Sequence, residues 1–257
     1  MKSSFQNSSN PLKALILAGG RGKRLDHLTD EENKCMIEFE GIHLIEHSLE
    51  NALTIGVDEI IIVVGHLAER IINTYGNSYK DIRIKYCIQR EQLGLVHAIE
   101  SAKGAMDGSD FILLLGDEFF RNGNHKTLLK AFAKNDVFAV CGVLEVKNRK
   151  HISKTYSILF DKESRIIFRL IEKPQNPINN MMGTGNIIFR NQIFDYVKET
   201  PINQKRGEKE LPDLVQCAID DGKKVVYDVL ASEYVNVNTP EDIRILNRKS
   251  QAWKEKE

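Results

Sequence analysis

The chain has 257 residues, of which 42% are hydrophobic and 28% are charged, and its formal net charge at pH 7 is zero. These values indicate a globular protein that can bury a large core within one domain. A neutral chain gives no reason to expect general binding to nucleic acid or to an anionic membrane. Any phosphate therefore has to be held by a few placed cations.

The cysteines and the apolar runs predict the compartment. Cys35, Cys87, Cys141 and Cys217 are scattered without a C-x-x-C pair, and at least three lie in apolar runs, which indicates reduced, buried thiols. The longest apolar runs have the length of strands, so no segment is expected to cross a bilayer. Residues 1–12 lack the apolar stretch of a signal peptide and are predicted to form a flexible tail. We therefore expect a cytoplasmic protein.

Strand-like and helix-like segments alternate through the first half of the chain. Strand patterns cover residues 15–18, 59–65, 82–88 and 111–116, and helix-like segments cover residues 44–53, 68–74 and 96–102. This order predicts βαβ units and an α/β fold with a doubly wound, mixed and mostly parallel, Rossmann-like sheet. Ligands bind such sheets beyond the carboxyl ends of the strands. Gly19-Gly20 and Gly116-Asp117 both fall at such ends.

The second half of the chain is more mixed. Strands are predicted over 156–160, 165–172 and 185–189, and helices over 192–199 and 211–221. A final helix begins at Pro240, with Thr239 as its N-cap. There is no internal repeat or long linker, so one domain over 13–257 is the simplest division.

A glycine-rich, basic segment follows the first strand directly, with the sequence Leu17-Ala18-Gly19-Gly20-Arg21-Gly22-Lys23-Arg24-Leu25. Its glycines let backbone N–H groups approach phosphates closely, and its cations can neutralise their charge. The spacing matches neither the P-loop nor the dinucleotide-binding motif, and a solvated turn is the alternative interpretation. Lys34 precedes the apolar Met36-Ile37, where a lysine has no packing role.

These residues resemble the signature of the sugar-1-phosphate nucleotidyltransferases, the family of glucose-1-phosphate thymidylyltransferase and UTP–glucose-1-phosphate uridylyltransferase. Lys34 matches the lysine of the family's P-K-P motif, although Asn33 and Cys35 replace both prolines. The resemblance implies that Arg24 holds the leaving pyrophosphate and that Lys34 offsets charge at the α-phosphate. It implies a nucleotide-binding loop made of Leu17, Ala18, Gly19, Gly20 and Gly22.

The resemblance continues through residues 89–99 and 115–117. Gln89 would hydrogen-bond the edge of a pyrimidine, and Gly94 would leave room for its ring. Asp117 matches the metal-binding aspartate of the family's G-D motif. A carboxylate at the end of a buried strand suits Mg²⁺, which prefers oxygen ligands. The less favoured alternative for Asp117 by itself is a helix or turn cap.

Further motifs resemble the family's sugar-binding residues. Tyr156 would lie in the sugar pocket, Glu172 would accept hydrogen bonds from sugar hydroxyls, and Lys173 would contact the attacking phosphate. Gly185 belongs to a strand similar to the one beneath the sugar. Arg206 begins a segment similar to R-G-E-x-E and would contact the sugar phosphate.

The segment 235–242 resembles the family's W-V-D-x-G-T-P-E-D region. Its metal-binding aspartate maps to Asn236, and relatives that act on N-acetylglucosamine 1-phosphate use asparagine as a ligand. Asn238 is close enough in sequence to be the alternative ligand. His43 and His47 have a spacing that could hold a metal, but a partly exposed helix face is the favoured interpretation.

Together these motifs imply Mg²⁺-dependent transfer of a nucleotidyl group from an NTP, with UTP or dTTP favoured, to a sugar 1-phosphate. They divide the domain into a nucleotide-binding half (about 13–150), a sugar-phosphate-binding half (about 151–240) and a C-terminal helix. A homo-oligomer is also implied. Two alternatives stay open: a cytidylyltransferase acting on a non-sugar phosphate or phosphonate, and a non-catalytic regulator that binds nucleotide-sugars.

Overall fold

The computed structural model of the protein describes residues 11–22, 25 and 32–254, without the side chain of Lys254. Within these residues the strands are β1 (Leu12–Ala18), β2 (Glu38–Phe39), β3 (Ile42–His43), β4 (Glu59–Val64), β5 (Ser78–Tyr79), β6 (Ile82–Ile88), β7 (Asp110–Leu115), β8 (Glu118–Arg121), β9 (Ala139–Glu145), β10 (Tyr156–Phe160), β11 (Ile167–Glu172), β12 (Met181–Phe189), β13 (Ile202–Asn203), β14 (Glu208–Lys209), β15 (Val225–Val229) and β16 (Glu233–Asn236). The α-helices are α1 (Leu44–Ile55), α2 (Ala68–Tyr75), α3 (Leu95–Ser101), α4 (Lys103–Met106), α5 (His125–Phe132), α6 (Leu211–Asp220) and α7 (Pro240–Lys254).

Four parallel strands form the centre of the main sheet, in the order β7–β1–β4–β6. Alternate residues of these strands enter two different cores. Leu15, Ile61 and Leu113 pack on one face of the sheet, and Ile16 and Ile62 pack on the other. Because both faces are covered, β1, β4 and β7 are almost continuously apolar, whereas β6, nearer the side of the sheet, alternates apolar with polar residues. The carboxyl ends of all four strands meet at one edge of the sheet, where the site is found.

The sheet becomes antiparallel beyond β7. Strand β12 pairs with β7, β9 and β10, and β10 pairs with β11. A single bridge between Ile166 and Val226, together with the hydrogen bond from Tyr227 N to Arg165 O (3.1 Å), links the start of β11 to β15. Since β15 pairs in parallel with β9, the strands β9, β12, β10, β11 and β15 close into a ring.

The predicted α/β class and the mixed sheet with a parallel centre are confirmed. The helix predicted over 192–199 is wrong: a 3-10 helix covers Asn191–Asp195 and is followed by turns. The buried side chains there, Ile193 with Tyr196 and Phe194 with Val197, are three residues apart, which fits three residues per turn.

The C-terminal helix α7 completes a third, smaller core beside β8 and β16. Trp253 of α7 stacks on Phe119 of β8, with ring centroids 5.7 Å apart. Asp242 N donates to Thr239 Oγ1 (3.3 Å), which confirms the predicted N-cap. This packing holds the end of β16 next to the carboxyl end of β7.

The four cysteines are unbridged, as expected. Across residues 11–22, 25 and 32–254, no helix has both the length and the apolar character required to cross a membrane.

Candidate active site

A cleft of about 680 Å³ opens at the carboxyl ends of β1, β6 and β7. It is lined by residues 17–22, by Lys34 and Cys35, by residues 89–92 and 94–95, by Ala98, by Leu115 and Asp117, and by Arg206 and Glu208. The cleft therefore brings together the glycine-rich loop, Lys34, Gln89, Gly94, Asp117 and Arg206. These residues were singled out from the sequence, although they are far apart along the chain.

The glycine-rich loop is held in place by hydrogen bonds to its backbone. Gly19 O accepts hydrogen bonds from His66 N (3.2 Å) and from Gln92 Nε2 (3.1 Å). Gly65 lies directly beneath it, because a Cβ atom on Gly65 would be only 2.6 Å from Gly19 O. The predicted pyrophosphate contact Arg24 lies outside the residues that the structure describes.

Asn33 fixes the segment that carries Lys34. Its side chain has no exposed area, and Nδ2 donates to Ala18 O (3.1 Å) and His66 O (2.7 Å). Its Oδ1 accepts a hydrogen bond from Cys35 N (2.9 Å) and caps a 3-10 helix over Lys34–Met36. In the sequence, Asn33 is noticeable only because it replaces the first proline of the P-K-P motif. The structure shows that its amide ties Lys34 to the ends of two parallel strands.

Replacing Asn33 by alanine is expected to lower the free energy of unfolding by about 2 kcal/mol, because buried backbone groups lose their hydrogen-bond partners. Urea denaturation measures this loss. Asn148→Ala is the matched control, since Asn148 also caps a 3-10 helix by accepting from the N–H two residues on, but is exposed. An equal loss in both variants would contradict the role assigned to Asn33.

Lys34 and the candidate metal ligands form one cluster. Lys34 Nζ pairs with the carboxylate of Asp117 and donates to Asn238 Oδ1 (3.3 Å). Asn238 Nδ2 in turn donates to Asn236 Oδ1 (2.5 Å), and Val237 N donates to Asp117 O (2.9 Å). The carboxylate and both amide groups predicted as metal ligands are thus adjacent. Among the residues described here, no group of three or more histidine, cysteine, aspartate or glutamate side chains could hold a metal.

This donor set fits Mg²⁺ better than a transition metal. Asp117 supplies one carboxylate and Asn236 and Asn238 supply amide oxygens, which are hard ligands. Mg²⁺ commonly binds proteins through one or two carboxylates and takes its other ligands from water and substrate phosphates. Cys35 also lines the cleft, and burial raises the pKa of its thiol to about 12, so the metal-free protein carries it as a neutral thiol.

Glu118, the next residue after Asp117, is buried beneath the site. Its carboxylate accepts hydrogen bonds from Gly185 N (3.1 Å), Tyr234 Oη (2.5 Å) and Asn186 Nδ2 (2.5 Å). Burial raises the pKa of Glu118 to about 8, and the negative charge of Asp117 acts in the same direction. Glu118 thereby joins Gly185, which was predicted to lie beneath a sugar, to the strand that ends at Asn236. This role was not predicted from the sequence.

His125 is the second buried titratable group in this network. Its Nε2 lies 2.8 Å from Asn186 Oδ1, and burial lowers its pKa to about 4. Glu118 keeps in the folded state a proton that the unfolded chain releases, so its contribution to stability decreases as pH rises from about 4.5 to about 8. His125 excludes a proton that the unfolded chain takes up, so its contribution increases from about pH 4 to about 6.5.

The two contributions oppose each other below pH 6.5, and only that of Glu118 acts between pH 6.5 and 8. Over this window we expect the free energy of unfolding of the metal-free protein to fall by about 2 kcal/mol relative to Glu118→Gln. Urea denaturation at several pH values measures the difference. Glu163→Gln, a change of an exposed carboxylate, should keep the wild-type slope. Parallel pH profiles for Glu118→Gln and the wild type would contradict the raised pKa.

The predicted sugar-side residues lie beside the cleft, around Arg206. Arg206 pairs with Glu210 (3.0 Å), Glu208 (3.5 Å) and Glu172 (3.7 Å), and Glu172 also binds Lys173 Nζ (2.6 Å). Lys173 has φ of 41°, an uncommon backbone conformation for a residue other than glycine, and such strain is typical of functional sites. The structure therefore brings Glu172, Lys173 and Arg206 together.

Tyr156 occupies a more interior position than a residue that contacts a sugar freely. Its hydroxyl donates to Thr184 O (3.0 Å), and its ring covers Gly183, where a Cβ atom would be 2.0 Å from the ring. Burial raises its pKa well above the usual value for tyrosine. Gly185 is similarly tight, since a Cβ atom there would be 2.2 Å from Leu115 Cδ1. The sugar contact of Tyr156 stays a prediction.

Residues of the site whose roles were missed in the sequence include Asn33, Gly65, Gln92, Glu118 and Glu208. Gly65 carried a usable signal, because it ends a buried parallel strand as Gly19 does. Glu208 carried one as well, since it lies in the segment of Arg206. Gln92 and Glu118 had none beyond their neighbours, because their roles depend on contacts with distant parts of the chain.

The model of the nucleotidyl transferase family matches residues 13–254. The chain is 30% identical over 231 residues to the UTP–glucose-1-phosphate uridylyltransferase AglF of Haloferax volcanii, covering 90% of this chain and 93% of that protein. It is 28% identical over 241 residues to a glucose-1-phosphate thymidylyltransferase of Streptomyces griseus, covering 92% of this chain and 65% of that protein. A solved UDP-glucose pyrophosphorylase, complexed with UDP-glucose, has the same fold, with a TM-score of 0.83 at 20% identity over 96% of this chain and 100% of the other.

Proposed function

The chain belongs to the nucleotidyl transferase family, and from this premise we propose that it is a sugar-1-phosphate nucleotidyltransferase. It transfers a nucleotidyl group from UTP or dTTP to a sugar 1-phosphate and releases pyrophosphate. One observation carries the proposal. A single cleft is lined by the glycine-rich loop, Lys34, Asp117 and Arg206, so a phosphate-binding backbone, cations and a candidate metal ligand face the same space.

The proposed reaction is an in-line displacement at the α-phosphorus. An oxygen of the sugar phosphate forms the new bond to phosphorus, and the bond to the β-phosphate oxygen breaks, so pyrophosphate leaves with the electron pair. No covalent intermediate on the protein is needed. Catalysis then consists of positioning and of stabilising the negative charge of the transition state.

We assign the phosphates of the triphosphate to the loop end of the cleft. Backbone N–H groups of Gly19 to Gly22 would contact these phosphates, and Arg24 would hold the leaving pyrophosphate. Lys34, which Asn33 ties to the loop, would contact the α-phosphate. The pairing of Lys34 with Asp117 supports this assignment, because it keeps the ammonium group next to the proposed Mg²⁺ ligand.

Asp117, with Asn236 and Asn238, would hold Mg²⁺. The chemistry supplied by a bound Mg²⁺ is neutralisation of charge on phosphate oxygens. Of the two asparagines, Asn238 accepts a hydrogen bond from Lys34, and Asn236 is linked to Lys34 only through its hydrogen bond with Asn238. Both stay in the proposal as the second protein ligand.

The sugar 1-phosphate would bind on the Arg206 side. Lys173 and Arg206 would contact its phosphate, and Glu172 would accept hydrogen bonds from sugar hydroxyls. Support comes from the ion pairs that gather these three side chains next to the cleft. Gly185 and Tyr156 would form the floor of this pocket, since Gly185 is held by Glu118 and Tyr156 covers the neighbouring Gly183.

We further propose that residues 13–257 act as one cytoplasmic domain, in which the nucleotide half and the sugar half share the main sheet. The continuous pairing from β6 to β11 supports this division. Assembly into a homo-oligomer stays part of the proposal and can be measured by light scattering.

The test is pyrophosphate release with Mg²⁺, using UTP, dTTP, CTP, GTP and ATP against several sugar 1-phosphates. Release that requires both a nucleotide and a sugar phosphate is the expected result. Release only with a phosphocholine or phosphonate acceptor would replace the proposal with the cytidylyltransferase alternative. Nucleotide-sugar binding without any turnover would replace it with a regulatory role.

A further inference from the structure

The orientation of one side-chain amide at the base end of the cleft is set by the protein itself. Gln89 follows β6 and is almost fully buried. Its Nε2 lies 3.1 Å from His97 Nδ1 and 3.2 Å from Gly94 O. A primary amide carries two N–H groups, and these two contacts use both of them.

These two neighbours, Gly94 O and His97 Nδ1, decide which of its two orientations the Gln89 amide adopts. If the amide were turned over, Gln89 Oε1 would face the carbonyl oxygen of Gly94, which has no proton to donate in any state. With the amide in the observed orientation, Nε2 also faces His97 Nδ1, which then has to accept the second hydrogen bond. His97 meets this requirement as the tautomer with its proton on Nε2, which leaves Nδ1 as an acceptor.

The opposite atom of the amide is turned to the glycine-rich loop. Gln89 Oε1 lies 3.1 Å from the position that a Cβ atom of Gly19 would have, and both residues line the cleft. Gln89 Oε1 is thus a hydrogen-bond acceptor at this point of the cleft. A nucleobase that binds to Gln89 Oε1 has to present an N–H group.

We propose that His97 determines the choice of nucleobase by holding Gln89 in this orientation. Uracil and thymine carry a proton on N3 and can donate to Gln89 Oε1. Cytosine carries a lone pair on N3 and would bring two acceptors together, leaving both without a proton. His97 is a positioning residue, since it acts through Gln89. The inference rests on the proposed function, in which Gln89 and Gly94 bind the base.

The test compares UTP and CTP with the same sugar 1-phosphate in the wild type, His97→Ala, His97→Leu and His97→Asn. The wild type is expected to have a higher kcat/KM for UTP than for CTP. The ratio should fall about tenfold in His97→Ala and His97→Leu, which lack the acceptor, as expected for the loss of a hydrogen bond that sets discrimination between bases. In His97→Asn the side-chain oxygen can replace Nδ1 as acceptor, so most of the ratio should return.

Ser101→Ala is the matched control, because Ser101 Oγ donates to the carbonyl oxygen of His97 on the same helix without touching Gln89. It should keep the wild-type ratio. A ratio within twofold of the wild type in both His97→Ala and His97→Leu would overturn the inference. So would equal losses in His97→Asn and His97→Ala, or a wild type that prefers CTP.

Calorimetric titration with UTP and with CTP, without any acceptor, separates this inference from the proposed function. If no sugar phosphate is turned over but UTP binds more tightly than CTP and the preference falls in His97→Ala, the proposed reaction fails and the role of His97 holds. If turnover occurs and the preference is unaffected by His97, the reaction holds and the role of His97 fails.

Discussion

Replacing Asp117 by alanine is expected to lower kcat for nucleotidyl transfer by about 10²- to 10³-fold, as removal of a preorganised electrostatic group typically does. The change removes the carboxylate of the candidate metal cluster as far as the described residues show it, and it removes the ion pair between Asp117 and Lys34. Initial rates of pyrophosphate release at saturating substrates measure the effect. Because Asp117 follows β7 at the surface of the cleft, the fold should persist, and circular dichroism can verify this.

Asp136→Ala supplies the comparison for that experiment. Asp136 is an exposed aspartate paired with Lys224, away from the cleft lining. Its replacement should leave kcat within about twofold of the wild type, since surface ion pairs contribute little. A rate for Asp117→Ala close to that of Asp136→Ala would remove Asp117 from the mechanism.

Replacing Gly65 by alanine is expected to have the largest effect on the glycine-rich loop. The new methyl group would lie 2.6 Å from Gly19 O and 3.2 Å from Gly19 Cα, and both of these are backbone atoms. No side-chain rotation can relieve such a contact, so β4 or the loop has to move. Overpacking of this kind typically costs about 1–3 kcal/mol, and we expect the upper part of that range in urea denaturation.

Gly20→Ala tests whether the loss of stability in Gly65→Ala comes from the close contact or from the loss of glycine's backbone flexibility. Nothing lies within 4 Å of a Cβ atom on Gly20, and its backbone is outside the left-handed region. Gly20→Ala should therefore keep the free energy of unfolding within about 0.5 kcal/mol. Nucleotide affinity in Gly65→Ala should fall as well, because Gly19 is displaced. Equal stability of the two variants would show that the close contact is relieved at no cost.

The parallel centre of the fold was predictable because burial on both faces leaves a clear mark in sequence. The residues 59–65 and 111–116 are almost continuously apolar, and such runs between helical segments have few other interpretations. The rule that parallel strands present ligands at their carboxyl ends then placed Gly19 and Asp117 on one edge. Both lie in the cleft.

The second half was less predictable for a physical reason. The ring of strands is closed by one bridge, between Ile166 and Val226, whose partners are 60 residues apart, and no local pattern encodes such a contact. Gln192 to Glu199 has helix-like spacing, but its buried side chains fit the tighter 3-10 turn. Local propensity is overridden there by packing against the core.

The residues that line the cleft could be predicted from motifs, whereas the buried residues that hold them in place could not. Lys34 and Asp117 could be named from their positions in sequence, and the structure pairs them. Asn33 was visible only as a departure from a proline, and Glu118 only as the neighbour of Asp117. Their roles depend on partners at residues 66 and 185, which lie far along the chain.

The ring of strands in the second half also bears on how the protein resists aggregation. An unpaired strand edge can recruit another chain, but the outer backbone of β11 is covered by Gln216, which bonds Leu170 N (3.0 Å) and Phe168 O (3.5 Å). The opposite side of the main sheet ends at β6 and the short strand β5, which pairs with Ile82 and Arg83. There the exposed side chains of Arg83 and Lys85 supply charge instead, which disfavours edge-to-edge pairing. The two sides of one sheet are thus protected by different means: the Gln216 side chain covers β11, and a short strand with exposed charges flanks β6.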